Sequence, residues 1–144
     1  MQKLNFPDYS FKIKSKENKP LIFSRLRKKY LVLTPEEWVR QHCVNYLIKV
    51  KNISASLLSE ERQINVNGIK KRYDIIAFKT DGEIDLIVEC KAPKVKITQD
   101  TFDQIARYNM AVNANYLMIT NGLNHYFCQM DYEQETYVFL NDLP

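Results

Sequence analysis

Glycine is scarce: the chain of 144 residues has three. Flexible loops are therefore expected to be few, and no G-x-x-x-x-G-K-[ST] phosphate loop occurs. Histidine appears twice, as His42 and His125, too few clustered ligands for a zinc site, so both read as packing or surface residues. Cys43, Cys90 and Cys128 are odd in number and far apart, which argues against a disulfide framework. No apolar run nears the roughly 18 residues a bilayer span needs. The N-terminus, MQKLNFPDYSFKIK, lacks the short apolar core of a signal peptide. A cytoplasmic location with no membrane contact is expected. No repeat and no linker rich in Pro, Gly or Ser is present.

What is there fits a globular chain: 45% hydrophobic and 26% charged residues. The length suits one domain over 1–144, with a basic, β-prone extension at 1–33 and a core at 34–144. Net charge is +4 but uneven. Residues 10–30 hold eight Lys and Arg against Glu17 alone, a window of +7, so the remainder sums to −3. Such a segment suits a polyanionic partner; a solvated charged edge is the plainer alternative.

LTPEEWVRQHCVNYLIKV starts a helix at Thr34, with Pro35 at the first position and Glu37 completing a capping box. Trp38, Val39, His42, Cys43, Tyr46, Leu47 and Val50 form its apolar face. Three strands follow, joined by turns at Asn67-Gly68 and Asp81-Gly82. TQDTFDQIARYNMAVN reads as a second helix capped by Thr98 or Asp100, and YLMITNG, NHYFCQMD and ETYVFL as strands. The fold class is mixed α/β. The near-continuous apolar run IDLIV implies a sheet covered on both faces.

The stretch YDIIAFKTDGEIDLIVECKAPK reads as a buried hairpin interrupted by Asp74, Glu89 and Lys91. A two-residue loop at Asp81-Gly82 places Thr80 opposite Glu83, and the same ladder places Asp74 opposite Glu89. Opposed residues share a face with Cβ atoms about 4.5–5.5 Å apart. Lys91, two residues beyond Glu89, falls on that face too. Carboxylates this close repel, and burial raises the pKa of at least one. A hard divalent cation compensates: Asp74, Glu89 and the Cys90 carbonyl are the expected ligands of Mg²⁺, completed by waters and a phosphate oxygen. Such an ion lowers the pKa of a coordinated water, and Lys91 positions that water or stabilises transition-state charge. The plainer alternative is a Lys91–Glu89 ion pair, with Asp74 solvated at the sheet end.

Asp74 followed by Glu89-Cys90-Lys91 on the next strand resembles the PD-(D/E)XK nuclease superfamily. The segments YLVLTPEEWVRQH, KKRYDIIAF, LIVECKAP, TFDQIARYN and YLMITNG resemble the N-terminal nuclease domain of type I restriction enzyme R subunits, over about residues 30–122. The resemblance implies a restriction-endonuclease-like core: a central mixed sheet flanked by helices, in α-β-β-β-α-β order. It implies metal binding by Asp74 and Glu89, with Mg²⁺ as the cofactor and Mn²⁺ as a substitute, and catalysis assisted by Lys91. It also implies an acid on the first helix, best matched by Glu37 with Glu36 open. Gln104 and Tyr108 match its Q-x-x-x-Y motif and would contact water or a phosphate. Tyr73 stands where the superfamily has Pro. R subunits carry a helicase motor after this domain; with no phosphate loop here, a standalone relative, or a motor on another chain, is expected.

The leading expectation is a Mg²⁺-dependent deoxyribonuclease leaving 5′-phosphate ends, working within restriction-modification. Arg72 and Arg107 near the site, with Arg25, Arg27, Lys28 and Lys29, would hold the DNA backbone. Helicase, methylase and specificity subunits are the expected partners. A homodimer would ease double-strand cutting, though no apolar patch marks an interface. The alternative is a non-catalytic module of this fold that docks nucleic acid or a partner chain.

Overall fold

A computed structural model describes all 144 residues. Nine strands and two helices follow the order β-β-β-α-β-β-β-α-β-β-β. β1 (Ile13–Lys16), β2 (Lys19–Ser24) and β3 (Lys29–Val32) form an antiparallel sheet. α1 (Pro35–Lys49) leads to β4 (Leu58–Val66), β5 (Ile69–Phe78) and β6 (Ile84–Cys90). α2 (Gln99–Asn109) crosses to β7 (Tyr116–Thr120), followed by β8 (His125–Asp131) and β9 (Thr136–Leu140). The last six strands lie side by side in sequence order, antiparallel except for β6–β7. No helix is long and apolar enough to cross a membrane.

Each face of the large sheet carries one helix. Val39, Cys43, Val44 and Leu47 of α1 pack on Ile75, Ala77, Leu86 and Val88. Phe102 and Ala106 of α2 pack on Ile76, Ile87, Leu117 and Ile119. This explains the uninterrupted apolar run of β6: both its faces are covered. All three cysteines are free and buried. The other side of α1 is wrapped by the N-terminal residues, where Phe6, Tyr9 and Phe11 meet His42. Val50, expected on the apolar face, is exposed at the helix end.

Both helix starts follow from their caps. Thr34 Oγ1 accepts from Glu37 N–H at 3.0 Å, and Thr98 Oγ1 accepts from Thr101 N–H at 3.2 Å. The expected capping box does not close. The Thr34 N–H donates to Val32 O, and the Glu37 carboxylate turns to Arg40 and Gln41 instead. The shortage of glycine is met by other residues: Glu17, Asn18, Lys28, Asn52, Glu61, Asn67, Asn113 and Glu135 all have positive φ. Asn67-Gly68 is a two-residue loop with positive φ at both positions, as its sequence implies. Glu17-Asn18 makes the same turn without a glycine.

The Asp81-Gly82 turn differs from expectation. Lys79 N–H donates to Glu83 O, so the loop is Thr80-Asp81-Gly82, one residue longer, with Gly82 at φ +90°. That would shift the ladder by one. A bulge at Asp85 shifts it back: Phe78 faces Ile84, whereas Ala77 faces Leu86. From Ala77 to Ile75 the pairing is therefore the one expected, because the two departures cancel.

Candidate functional site

Strand alternation breaks at one level of β4 and β5, and the break builds the site. Glu60 reaches α1, yet Ile64 and Val66 lie on the α2 side. Ile75 and Ala77 face α1, yet Tyr73 joins Ile76 on the α2 side. Between these sets sit Glu61, at φ +51°, and Asp74. The Asp74 Oδ2 accepts from the Cys90 N–H of β6 at 2.7 Å, and its Oδ1 accepts from Arg40 of α1 at 3.1 Å.

Glu89 meets Asp74 there. Burial first, and then the adjoining Asp74 carboxylate, push the Glu89 carboxyl up to about 8; Lys91 opposes the rise. A hydrogen bond between the two side chains favours the proton on Glu89. Lys91 follows directly on β6, its N–H bonded to Thr120 O of β7 at 2.8 Å. Asp74, Glu89 and Lys91 thus come together at the C-terminal end of β6.

Arg40 is the hub of the acidic side chains. Its side chain is 7% exposed and reaches Glu61 at 2.7 Å, Glu37 at 2.9 Å, Asp74 at 3.1 Å and Glu36 at 3.6 Å. Burial pulls the guanidinium pKa down, but Glu37, Asp74 and Glu61 pull it further up, so the charge is held. Gln41 extends the network by donating to Glu37 and Glu60, both at 2.9 Å. Burial, together with neighbouring Glu37, raises the Glu60 carboxyl against the hydrogen bonds from Ser24 and Gln41.

Sequence reasoning favoured Glu37 as the helix acid. The structure buries Glu37 among Arg40 and Gln41, and brings Glu36 into the electrostatic reach of Asp74, Lys91 and Glu61. The reason is helical geometry: the adjacent position turns about 100° around α1. Gln104 and Tyr108 are exposed on α2, and Lys71 sits over the Tyr108 ring at 3.5 Å. Tyr73 connects the two sides: burial, then Glu89, then Tyr108 push its hydroxyl up to about 12. That hydroxyl is buried with no hydrogen-bond partner. Arg72 is exposed and lies 3.8 Å from Glu61. Arg107 is exposed on α2 and lines an open cavity with Met110, Tyr132 and Glu135. Arg25, Lys28 and Lys29 are exposed around the β2–β3 turn, and Arg27 is half-buried there.

Arg40, Glu61 and Tyr73 were missed from sequence. Arg40 was legible as the partner of Glu36 and Glu37 at helical spacing. Nothing local marked Glu61, and Tyr73 stood out only as the residue in the superfamily's Pro position.

No three His, Cys, Asp or Glu side chains gather as a self-sufficient metal site. Asp74 and Glu89 still fit Mg²⁺, which is commonly held by one or two carboxylates with waters and phosphates making up the rest. The surplus of acids over Arg40 and Lys91 favours a further cation.

Together these features define a mixed α/β fold with helices on both faces of its large sheet and a carboxylate cluster where the middle of β5 meets the end of β6. A model of the family described as Type I restriction enzyme R protein N terminus matches residues 35–144, and the chain belongs to that family. No curated protein matches it.

Proposed function

We propose that this protein is a Mg²⁺-dependent deoxyribonuclease of restriction-endonuclease-like fold, its 144 residues acting as one domain in a restriction-modification setting. The supporting observation is the meeting of Asp74 and Glu89 with Lys91 adjacent, in a chain of this family. Asp74 and Glu89 are the residues to hold the ion, which when bound supplies Lewis-acid stabilisation of phosphoryl charge and a more acidic water. The chain's own groups do the rest. Arg40 and the Cys90 N–H orient Asp74. Lys91 offers a positive charge beside the reacting phosphate. Gln104 and Tyr108 offer polar contacts to the strand from the α2 side. Mn²⁺ is expected to substitute, and subunits for translocation, methylation or site recognition are the partners this reading calls for.

The test is plasmid cleavage with Mg²⁺ by the wild type, Asp74→Ala and Lys91→Ala. Wild-type cutting with loss of about 100-fold or more in each variant supports the reading. Equal cutting by all three would trace it to a contaminant and end the proposal.

One observation favours a non-catalytic docking module: Arg40 already engages Asp74 Oδ1, a cation where an ion would sit. Calorimetric titration separates the readings. Mg²⁺ or Mn²⁺ binding, with or without DNA, that vanishes in Glu89→Ala belongs to the enzyme; DNA binding indifferent to metal belongs to the module.

A further inference from the structure

Further along α1 from the carboxylates lies a cavity of about 390 Å³ of opposite character. Its floor is Gln41 and Asn45, 1% and 8% exposed. Phe11 and Phe23 provide its apolar wall, and Lys12, Arg25, Lys28 and Lys49 stand around it. No carboxylate lines it. None of these four cations forms an ion pair; the pairs in the molecule are made by Arg40, Lys51, Arg72 and Lys79. Two are placed by aromatic rings: Lys12 over Phe23 at 5.4 Å and Lys49 over Tyr9 at 5.2 Å.

Four unneutralised cations in a concave wall repel one another and focus a positive field. An anion relieves that repulsion, and a phosphate takes hydrogen bonds from several Lys and Arg at once. The volume lies in the range of sites for small organic ligands rather than bare ions. Aromatic walls beside cations suit a base and its phosphate together. We propose that this cavity seats one nucleotide of a nucleic-acid strand, its phosphate among the four cations and its base against Phe11 or Phe23. The proposal takes the source of the phosphate from the nucleic-acid reading above, but needs neither metal nor cleavage.

The test is fluorescence anisotropy of a short labelled single-stranded oligonucleotide in chelator, with a nucleoside monophosphate as competitor. The variant Arg25→Ala/Lys49→Ala removes two exposed charges from the cavity. Lys16→Ala/Lys19→Ala removes as many outside it. The cavity variant is expected to weaken binding about tenfold and to lower the salt slope by up to about 0.7, the share of one phosphate on a single strand, with the other variant close to wild type. Amide shifts on adding the monophosphate are expected at Phe11, Phe23 and Asn45. Equal losses in both variants would reduce the effect to general charge and overturn the site. So would amide shifts on adding the monophosphate together with no change in oligonucleotide anisotropy. Because binding is read in chelator and cleavage in Mg²⁺, lost binding and lost cleavage report separate failures.

Discussion

Glu37, Gln41, Asn45 and Lys49 follow one another at four-residue spacing down one side of α1, and they join two regions of opposite charge. At the helix start, Glu36, Glu37, Glu61 and Asp74 surround Arg40. Toward its end, Lys49 joins Lys12, Arg25 and Lys28 around a cavity with no acid. Gln41 is the divider, giving its amide to Glu37 and Glu60 while flooring the basic cavity. The polarity follows the helix dipole, acids first and base last. A single helix can thus hold a cation-seeking and an anion-seeking region apart, when a neutral side chain with fixed hydrogen bonds stands between them.

Removing Arg40 should disturb this arrangement most. Arg40→Met leaves four carboxylates without their shared cation and is expected to cost about 3–5 kcal/mol in urea unfolding. Mg²⁺ should restore more stability to the variant than it gives the wild type, since an ion can take over the lost charge. No such difference would mean that the acids do not form one electrostatic unit.

The next largest effect concerns pH. Native Glu89 keeps its proton up to about 8, whereas the unfolded chain releases it near 4.5. Between those values the native state binds more protons, so metal-free stability falls as pH rises, by at most about 1.4 kcal/mol per pH unit. The contribution is complete below the unfolded value and lost by the native one. Glu89→Gln should flatten the slope in chemical denaturation across this window; an unchanged slope would assign it to other groups.

Gln41→Leu tests the divider. It removes two buried hydrogen bonds and is expected to cost about 1–3 kcal/mol, with Glu60 pushed further up. Unaltered stability would leave Gln41 without a separating role. Thr34→Ala should have the smallest effect, about 1 kcal/mol in thermal or urea unfolding through loss of the cap that starts α1. It should lower both regions together, since both depend on that helix.

Much of this was legible in residue patterns. The order from α1 onward, both helix starts, the Asn67-Gly68 turn and the doubly covered β6 follow from local spacing and composition, whereas the segment 1–33 read only as a β-prone extension and folds as a three-stranded sheet of its own. The register from Ala77 to Ile75, which leads toward Asp74, was reached for a partly mistaken reason, since a longer loop and the Asp85 bulge offset one another. Glu36 and Glu37 are equivalent as letters, and only the packed orientation of α1 separates them.

Sequence alone determined the two helices, the strands of the large sheet, the basic window and the acids' place on neighbouring strands, because caps, turns and hydrophobic period act over a few residues. Tertiary structure decided which acids share Arg40, that Glu61 and Asp74 break the alternation, and that four of the scattered cations ring one cavity. Those outcomes depend on contacts between residues far apart in the chain, where burial and charge are settled only once the helices and sheets have packed.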